Sequence, residues 1–481
     1  MELKCFDRVR VKDLKLKERS ISATYELTID GVSREYELIQ AYEENLREVK
    51  GLEEIAALIS IVPAINYTLF SDEIVIDFPI HELDFKFFTD MSEVTARDIF
   101  VNRILKRTGL VRDEFIPRAD EVKPEDAEPK AEVIAETFSS TQFDEIEDES
   151  KCAVMVSGGK DSLLSYMLLR EAGCEVHPFF MNESGRHWYV SLKAYRYFRA
   201  NEPKTKRVWS NIDRLFKFIE SNMKILVRGF DKKTKEIYPI RLFWFEHFAF
   251  SFLPHVVKMG IGNIVFGNEY DDPFSVPSYF KGIKHYNAIY DQSQDFENYM
   301  TAWFKERGLG IKQWSPIRSI SGLIVQRILH RRYPDVMKLQ MSCHSPVYTG
   351  GELRPCRTCI KCIGIKIFLL ANGIDPTIIG YDGNVHDIVE HVESGKYRLY
   401  EDELEHSLYL ISRRLGIDLP RAVPHPEVET VRFNDVTAKL DHIPHRELRS
   451  RVFDVIEQYV SGYSILRDGK WLRVSRQELG F

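Results

Sequence analysis

The chain has 481 residues, 44% of them hydrophobic and 29% charged, and a net charge of −7. That length exceeds one ordinary core and predicts two or three domains of globular composition rather than a disordered or fibrous chain. The acidic balance gives no basic footprint for nucleic acid. The absence of any apolar run of about 18 residues, or of an apolar leader at the start, predicts a cytoplasmic protein with no membrane span.

Residues 1–118 read as an N-terminal α/β domain. SATYELTI and REYELI alternate apolar and polar residues as half-buried strands do, and DEIVIDF reads as a third. GLEEIAALISIVPAI is apolar at helical spacing, and VTARDIFVNRILKRTGL reads as a helix ended by a glycine. Residues 119–149 are acidic, carry two prolines and have few large apolar side chains. Such a segment buries too little to offset its ordering entropy, which predicts a linker.

Residues 150–375 change pattern. CAVMV is a short continuous apolar run, as in a strand covered on both faces. Leu163, Leu164, Met167 and Leu168 follow at helical spacing, with Gly173 as a stop. EVHPFFMN, VWSNI, NIVFGNE and IKQWSPI read as further strands; FWFEHFAFSFLPHVVKMG and SGLIVQRILHRRY read as helices. Strands alternating with helices predict a mostly parallel sheet with helices on both faces. Residues 376–481 read as mainly helical with a short β ending, and no role is legible in them.

The stretch VMVSGGKDSLLSYM places SGGKDS between a strand and a helix. Gly158 and Gly159 let the backbone turn so that its N–H groups form an anion nest, and the new helix adds its positive end. Lys160 supplies a cation, Asp161 a carboxylate suited to magnesium, and Ser157 and Ser162 hydroxyl donors. These pieces suit the phosphates of ATP. The lysine directly after the glycines sets the motif apart from G-x-x-x-x-G-K-[ST].

Four of the seven cysteines fall in SCHSPVYTGGELRPCRTCIKCIGIK: Cys343, Cys356, Cys359 and Cys362, spaced C-x12-C-x2-C-x2-C. Four thiolates suit a closed, structural zinc site. An iron–sulfur cluster is the rival, since it also uses C-x2-C-x2-C runs, although the further cysteine of the ferredoxin run is replaced here by Lys366. Cys5, Cys152 and Cys174 stand apart and read as packed thiols.

SGGKDS resembles the PP-loop of the N-type ATP pyrophosphatases. The resemblance implies cleavage of ATP to AMP and pyrophosphate with adenylation of a carbonyl, carboxylate or amide oxygen. It also implies an adenine-nucleotide α-hydrolase-like (HUP) sheet with the adenine near Val156 and Met181–Asn182. The order of WSPI, a helix and the four cysteines is similar to the tail of the 7-cyano-7-deazaguanine synthases, which are about half this length and lack the leading domain. A wider resemblance, over residues 20–370, is to the UDP-N-acetylmuramoyl-L-alanyl-L-glutamate epimerases. It rests on an N-terminal α/β region, the GGKDS loop, a strand ending in Asn268-Glu269, the aromatic and histidine-bearing segment with His285-Tyr286 and FENYM, and the cysteine cluster. The segment after Asn-Glu, YDDPFSVPSYFKGIKHY, departs from that family's serine-rich pattern where substrate would be read.

The chemistry expected is activation of a small-molecule or peptide carboxylate. Adenylation removes the carboxylate charge, so the neighbouring C–H becomes acidic enough for a general base. Lys160 and Asp161 serve the ATP–magnesium step. Glu269 is the first choice of base, at a strand end where open parallel sheets hold ligands, with Asp271, Asp272 and His285 as others. Arg186, Asn268 and His285 are candidates to hold substrate, Arg186 as an oxyanion clamp. Amidation of the deazaguanine type, tRNA-base thiolation and a regulatory nucleotide-binding role remain as alternatives, and oligomeric state is open.

Overall fold

The computed structural model describes residues 3–141, 143–146, 148–185, 187–229, 240–270, 276–395, 397 and 399–480. The alternating N-terminal segments form a meander of β1 (Phe6–Lys17), β2 (Ser20–Ile29) and β3 (Val32–Tyr42), paired antiparallel. Asp30 and Gly31 join β2 to β3 with φ of 49° and 75°, the two-residue turn whose twist matches that of flanking strands. β4 (Ser71–His81) runs parallel to β1. One face of these strands buries Val9, Val11, Ala23, Tyr25 and Ile74 in a core shared with the helices Leu52–Ile61 and Trp244–Met259.

The next strand arises where a linker is expected. β5 (Glu132–Phe138) pairs parallel with β4 along the sheet edge, with Val133, Ala135 and Phe138 half-buried and Glu132 and Glu136 facing water. Main-chain pairing to an existing edge holds this segment, so its low apolar content does not leave it loose. Charged residues on the open side blunt the new edge. Phe143, further along the same segment, lies under the guanidinium of Arg307 at 4.9 Å.

β6 (Lys151–Met155), β7 (Glu175–Asn182), β8 (Lys206–Ser210) and β9 (Asn263–Val265) follow, then a hairpin of β10 (Ser278–Phe280) and β11 (Ile283–His285), then β12 (Lys312–Trp314). The five parallel strands lie in the order β12-β9-β6-β7-β8. The chain steps outward from β6 through β7 to β8, then returns to β6's other side with β9. β6 and β9 therefore border the topological switch point, where open α/β sheets form a crevice at the carboxyl ends of their strands.

β8 pairs antiparallel with β3, Gln40 opposite Ser210 and Tyr42 opposite Val208, so both halves belong to one ten-stranded, mostly parallel sheet. A buried ion group reinforces the junction: Arg307 donates to Asp84 at 2.8 Å and to Glu54 at 2.7 Å. Beyond residue 376 come helices His386–Glu393, Glu401–Leu415 and Arg446–Ile456. A small sheet accompanies them, in which β15 (Val431–Phe433) pairs with β16 (Tyr463–Arg467), and β16 with β17 (Lys470–Val474). Leu404, Ile411 and Phe453 of this region share a core with Leu163, Leu164 and Ile324. Among the described residues, no helix is long and apolar enough to cross a membrane.

Candidate functional site

SGGKDS turns from the end of β6 into the helix Lys160–Glu171. Gly158 has φ of 81°, and a Cβ there would lie 3.3 Å from the Val190 carbonyl and 3.4 Å from Ala194 Cβ. The loop is pinned from several sides. Val156 N–H donates to the Phe179 carbonyl at 2.8 Å, Ser191 Oγ donates to the Ser157 carbonyl at 2.8 Å, and Met341 N–H donates to the Gly158 carbonyl at 2.9 Å. Within the loop, Ser157 N–H donates to Ser162 Oγ at 3.2 Å.

The run after β9 closes the other side of the switch point. A Cβ on Gly267 would lie 2.7 Å from the Asp161 carbonyl carbon and 2.8 Å from Ser162 N, so backbone rests on backbone and a side chain is excluded. Two residues on, Glu269 Oε2 accepts a 2.5 Å hydrogen bond from Lys160 Nζ, which also donates to Asp161. The helix Gly322–Arg332 begins against this pair: a Cβ on Gly322 would lie 2.7 Å from Glu269 Oε2, 2.8 Å from Phe368 Cε2 and 3.1 Å from Lys160 Nζ. The Phe368 ring lies 5.6 Å from Lys160 Nζ. Glu403 accepts from Leu323 N–H at 3.0 Å, one residue into that helix.

Two carboxylates around one buried ammonium set the electrostatics. Burial opposes the charge on Lys160, but Asp161 and Glu269 outweigh it and hold its pKa above the usual lysine range. Burial pushes Glu269 well above the usual carboxylate range; the Asp161 charge adds to this against the pull of Lys160. Asp161 is the more open carboxylate of the two, with its side chain 32% exposed against 25% for Glu269.

The other expected site residues divide. Met181 and Asn182 end β7, next to β6, and Asn182 Oδ1 accepts from Ser184 N–H at 3.1 Å. Asn268 turns its amide to Glu297 at 2.9 Å, which is itself paired with the buried Arg318. His285 sits on β11 against Asn102 at 3.3 Å, and burial pushes its pKa down to about 4. Its ring nitrogen meets Asn102 of the N-terminal half and the N–H of Asn287, two residues on, not the loop. Arg186, Asp271 and Asp272 lie outside the described residues.

Sequence reasoning missed Gly322, Phe368 and Glu403, and it missed Glu183. The Glu183 side chain follows β7 directly, is 2% exposed, and has no hydrogen-bond partner for Oε1 among the described residues. Burial, with help from the Asp213 charge, raises its pKa to about 7. Its place just after β7 was legible; its burial was not. A cavity of about 970 Å³ lined by Arg112, Lys217, Lys224 and Arg228 shares no residue with the loop.

The four cysteines do converge. Cys343 and Cys356 bracket a hairpin of β13 (Val347–Thr349) and β14 (Glu352–Arg354); Cys359 caps the helix Ile360–Ala371 and Cys362 lies in its first turn. All four sulfurs lie within 4.8 Å of one another, with Cys359–Cys362 at 3.4 Å and Cys356–Cys362 at 3.8 Å. Four thiolates at about 2.3 Å from a tetrahedral ion stand roughly 3.8 Å apart, so the set fits a metal such as zinc. The N–H groups of Ser345 and Cys356 each donate to Cys343 Sγ at 3.3 Å, which suits a thiolate. Lys366 is sealed in ion pairs with Asp382 and Asp387. Asp402, His425 and Glu427 form a second, part-exposed convergence.

The cysteine cluster and the loop are physically joined. Met341, which holds Gly158, lies two residues before Cys343; Phe368, which covers Lys160, lies six residues after Cys362 on the same helix. No family model matches this chain, and no curated protein matches it.

Proposed function

We propose that this protein is an ATP-dependent, AMP- and pyrophosphate-forming enzyme of the PP-loop type that adenylates a small-molecule or peptide carboxylate and then inverts the carbon beside it. The observation that carries this reading is the meeting of two strand ends at the switch point: Gly267 lies on Asp161–Ser162, and Lys160 joins Asp161 to Glu269. A glycine-lined turn opening a twelve-residue helix suits phosphate, since backbone N–H groups and the helix dipole both favour an anion there. The five parallel strands with this crevice support the HUP-like reading.

ATP enters as a substrate. Asp161 is the residue that would hold magnesium, which, when bound, offsets charge on the departing pyrophosphate. A carboxylate oxygen of the second substrate bonds to the α-phosphorus. The bond from that phosphorus to the bridging oxygen breaks, and pyrophosphate leaves with the electron pair. Glu269 then takes the proton from the neighbouring carbon; a raised carboxyl pKa makes it the stronger base. Inversion needs a group on the opposite face. Glu183 follows β7 while Glu269 follows β9, so the two flank the β6 loop from its two sides. After reprotonation, water attacks the acyl carbon and AMP leaves. The four cysteines would hold a structural zinc, which would fix the segments that carry Met341 and Phe368 to the loop.

Turnover in deuterium oxide with ATP and a panel of amino-acid and peptide carboxylates tests this. The expected result is deuterium at the α-carbon, lost in Glu269→Gln while pyrophosphate release persists. Dependence on ammonia without deuterium entry points instead to amidation. Pyrophosphate release stimulated only by tRNA removes both.

A further inference from the structure

Arg432 lies on β15, 0% exposed, and none of its three guanidinium nitrogens has a hydrogen-bond partner among the described residues. Its guanidinium stacks on the Tyr270 ring at 3.9 Å from the centroid, and Trp471 on β17 stands 5.8 Å away. Arginine keeps its charge inside proteins, and a ring face returns only part of the hydration that burial removes. Five donors in a planar fork, buried and without a hydrogen-bond partner among the described residues, are the recognition chemistry for a carboxylate or phosphate.

Its position ties it to the loop. Tyr270 directly follows Glu269, and Asn434 Nδ2 donates to the Tyr270 hydroxyl at 2.9 Å. Ser319 and Ile320 carbonyls accept the N–H groups of Arg432 and Tyr270 at 2.8 and 3.0 Å, while Gly322, two residues on, rests against Lys160 and Glu269. Trp471 is only partly buried, so the small C-terminal sheet forms the outer wall of Arg432. We propose that Arg432 is the receptor for an oxyanion of the substrate, a carboxylate or phosphate other than the group activated at the SGGKDS loop. The substrate assignment rests on the function proposed above; the anion site itself does not. The C-terminal region thereby gains a role, bringing a cation to Tyr270, the residue next to Glu269.

The test is thermal unfolding of the full chain and of Arg432→Met and Arg432→Lys, without ATP, in sodium chloride or at matched ionic strength in glutarate or inorganic phosphate. The wild type is expected to gain about 2 °C or more in one of the two anions. That gain should vanish in Arg432→Met and fall to a fraction in Arg432→Lys, which keeps the charge but not the fork. A gain in glutarate alone identifies a carboxylate, and a gain in phosphate alone a phosphoryl group. No gain in the wild type with either anion overturns the proposal, as does an equal gain in wild type and Arg432→Met. Because no step uses ATP, failure here leaves the adenylation reading standing, and failure of that reading leaves this result interpretable.

Discussion

Lys160 and Glu269, 109 positions apart, share a hydrogen bond of 2.5 Å. The contact exists because β6 and β9 are neighbours although β7 and β8 intervene in the chain. It joins the SGGKDS loop to the carboxyl group proposed as the base, within the crevice such a strand order creates.

Replacing Gly322 with alanine tests how tightly that pair is built. The new Cβ would stand 2.7 Å from Glu269 Oε2 and 2.8 Å from Phe368. Gly322→Ala should cost about 1–3 kcal/mol by overpacking and displace Glu269 from Lys160, lowering turnover at least about tenfold. Gly383 has open space for a Cβ, so Gly383→Ala is the control expected to match wild type. Denaturant melts and steady-state rates on both variants check this; wild-type behaviour in Gly322→Ala would refute the packing.

Metal removal should be felt at the loop. Purified protein should be colourless with about one zinc per chain, as four thiolates allow. Chelation or Cys343→Ser should lower its melting temperature and weaken ATP binding by calorimetry. The route is the Met341–Gly158 hydrogen bond and the Phe368–Lys160 contact, both on segments the cysteines anchor. Unchanged ATP affinity in the metal-free protein would uncouple the two. Bound iron and sulfide would point to tRNA thiolation.

The acidic segment should not release two independent domains. β5 lies on β4, and β8 joins β3, so a protease cut anywhere in 119–149 should leave fragments that co-elute on gel filtration. Two separately eluting folded pieces would contradict the shared sheet.

Arg307 anchors the same junction. Burial raises Asp84 from 3.8 to about 6 even beside Arg307. A carboxyl raised in the folded state costs most above its folded pKa, and that cost fades as pH falls towards its unfolded value. Arg307→Ala leaves Asp84 and Glu54 buried without their cation and should cost about 3–5 kcal/mol near neutrality. The deficit should be larger at about pH 8 than at about pH 5, where the stranded Asp84 carboxyl, its pKa raised by burial, is protonated in the fold. Urea melts at the two pH values decide this; a constant deficit would rule out the charge as its source.

Local features were legible in the chain and long-range ones were not. SGGKDS and the cysteines each lie within a short segment whose spacing imposes the arrangement; Glu269 was read as the end of a strand, but β9 stops at Val265 and Glu269 stands in the run after it. β5 was not, because its stability comes from pairing with β4 rather than from its own apolar content. The join of β3 to β8 depends on two segments about 170 residues apart, which no local pattern encodes. Gly322, Phe368 and the buried Arg432 acquire meaning only through what packs against them. His285 was singled out for its aromatic surroundings, yet its ring nitrogen meets Asn102 of the N-terminal half and its own neighbour Asn287.

The most direct test of adenylation at SGGKDS is carboxylate-dependent exchange of labelled pyrophosphate into ATP. Wild-type protein should catalyse the exchange with its cognate carboxylate and magnesium. Lys160→Ala and Asp161→Ala, still folded by circular dichroism, should each lower it by about a hundredfold or more, as for a group acting on the transition state. Wild-type exchange in either variant would contradict the account.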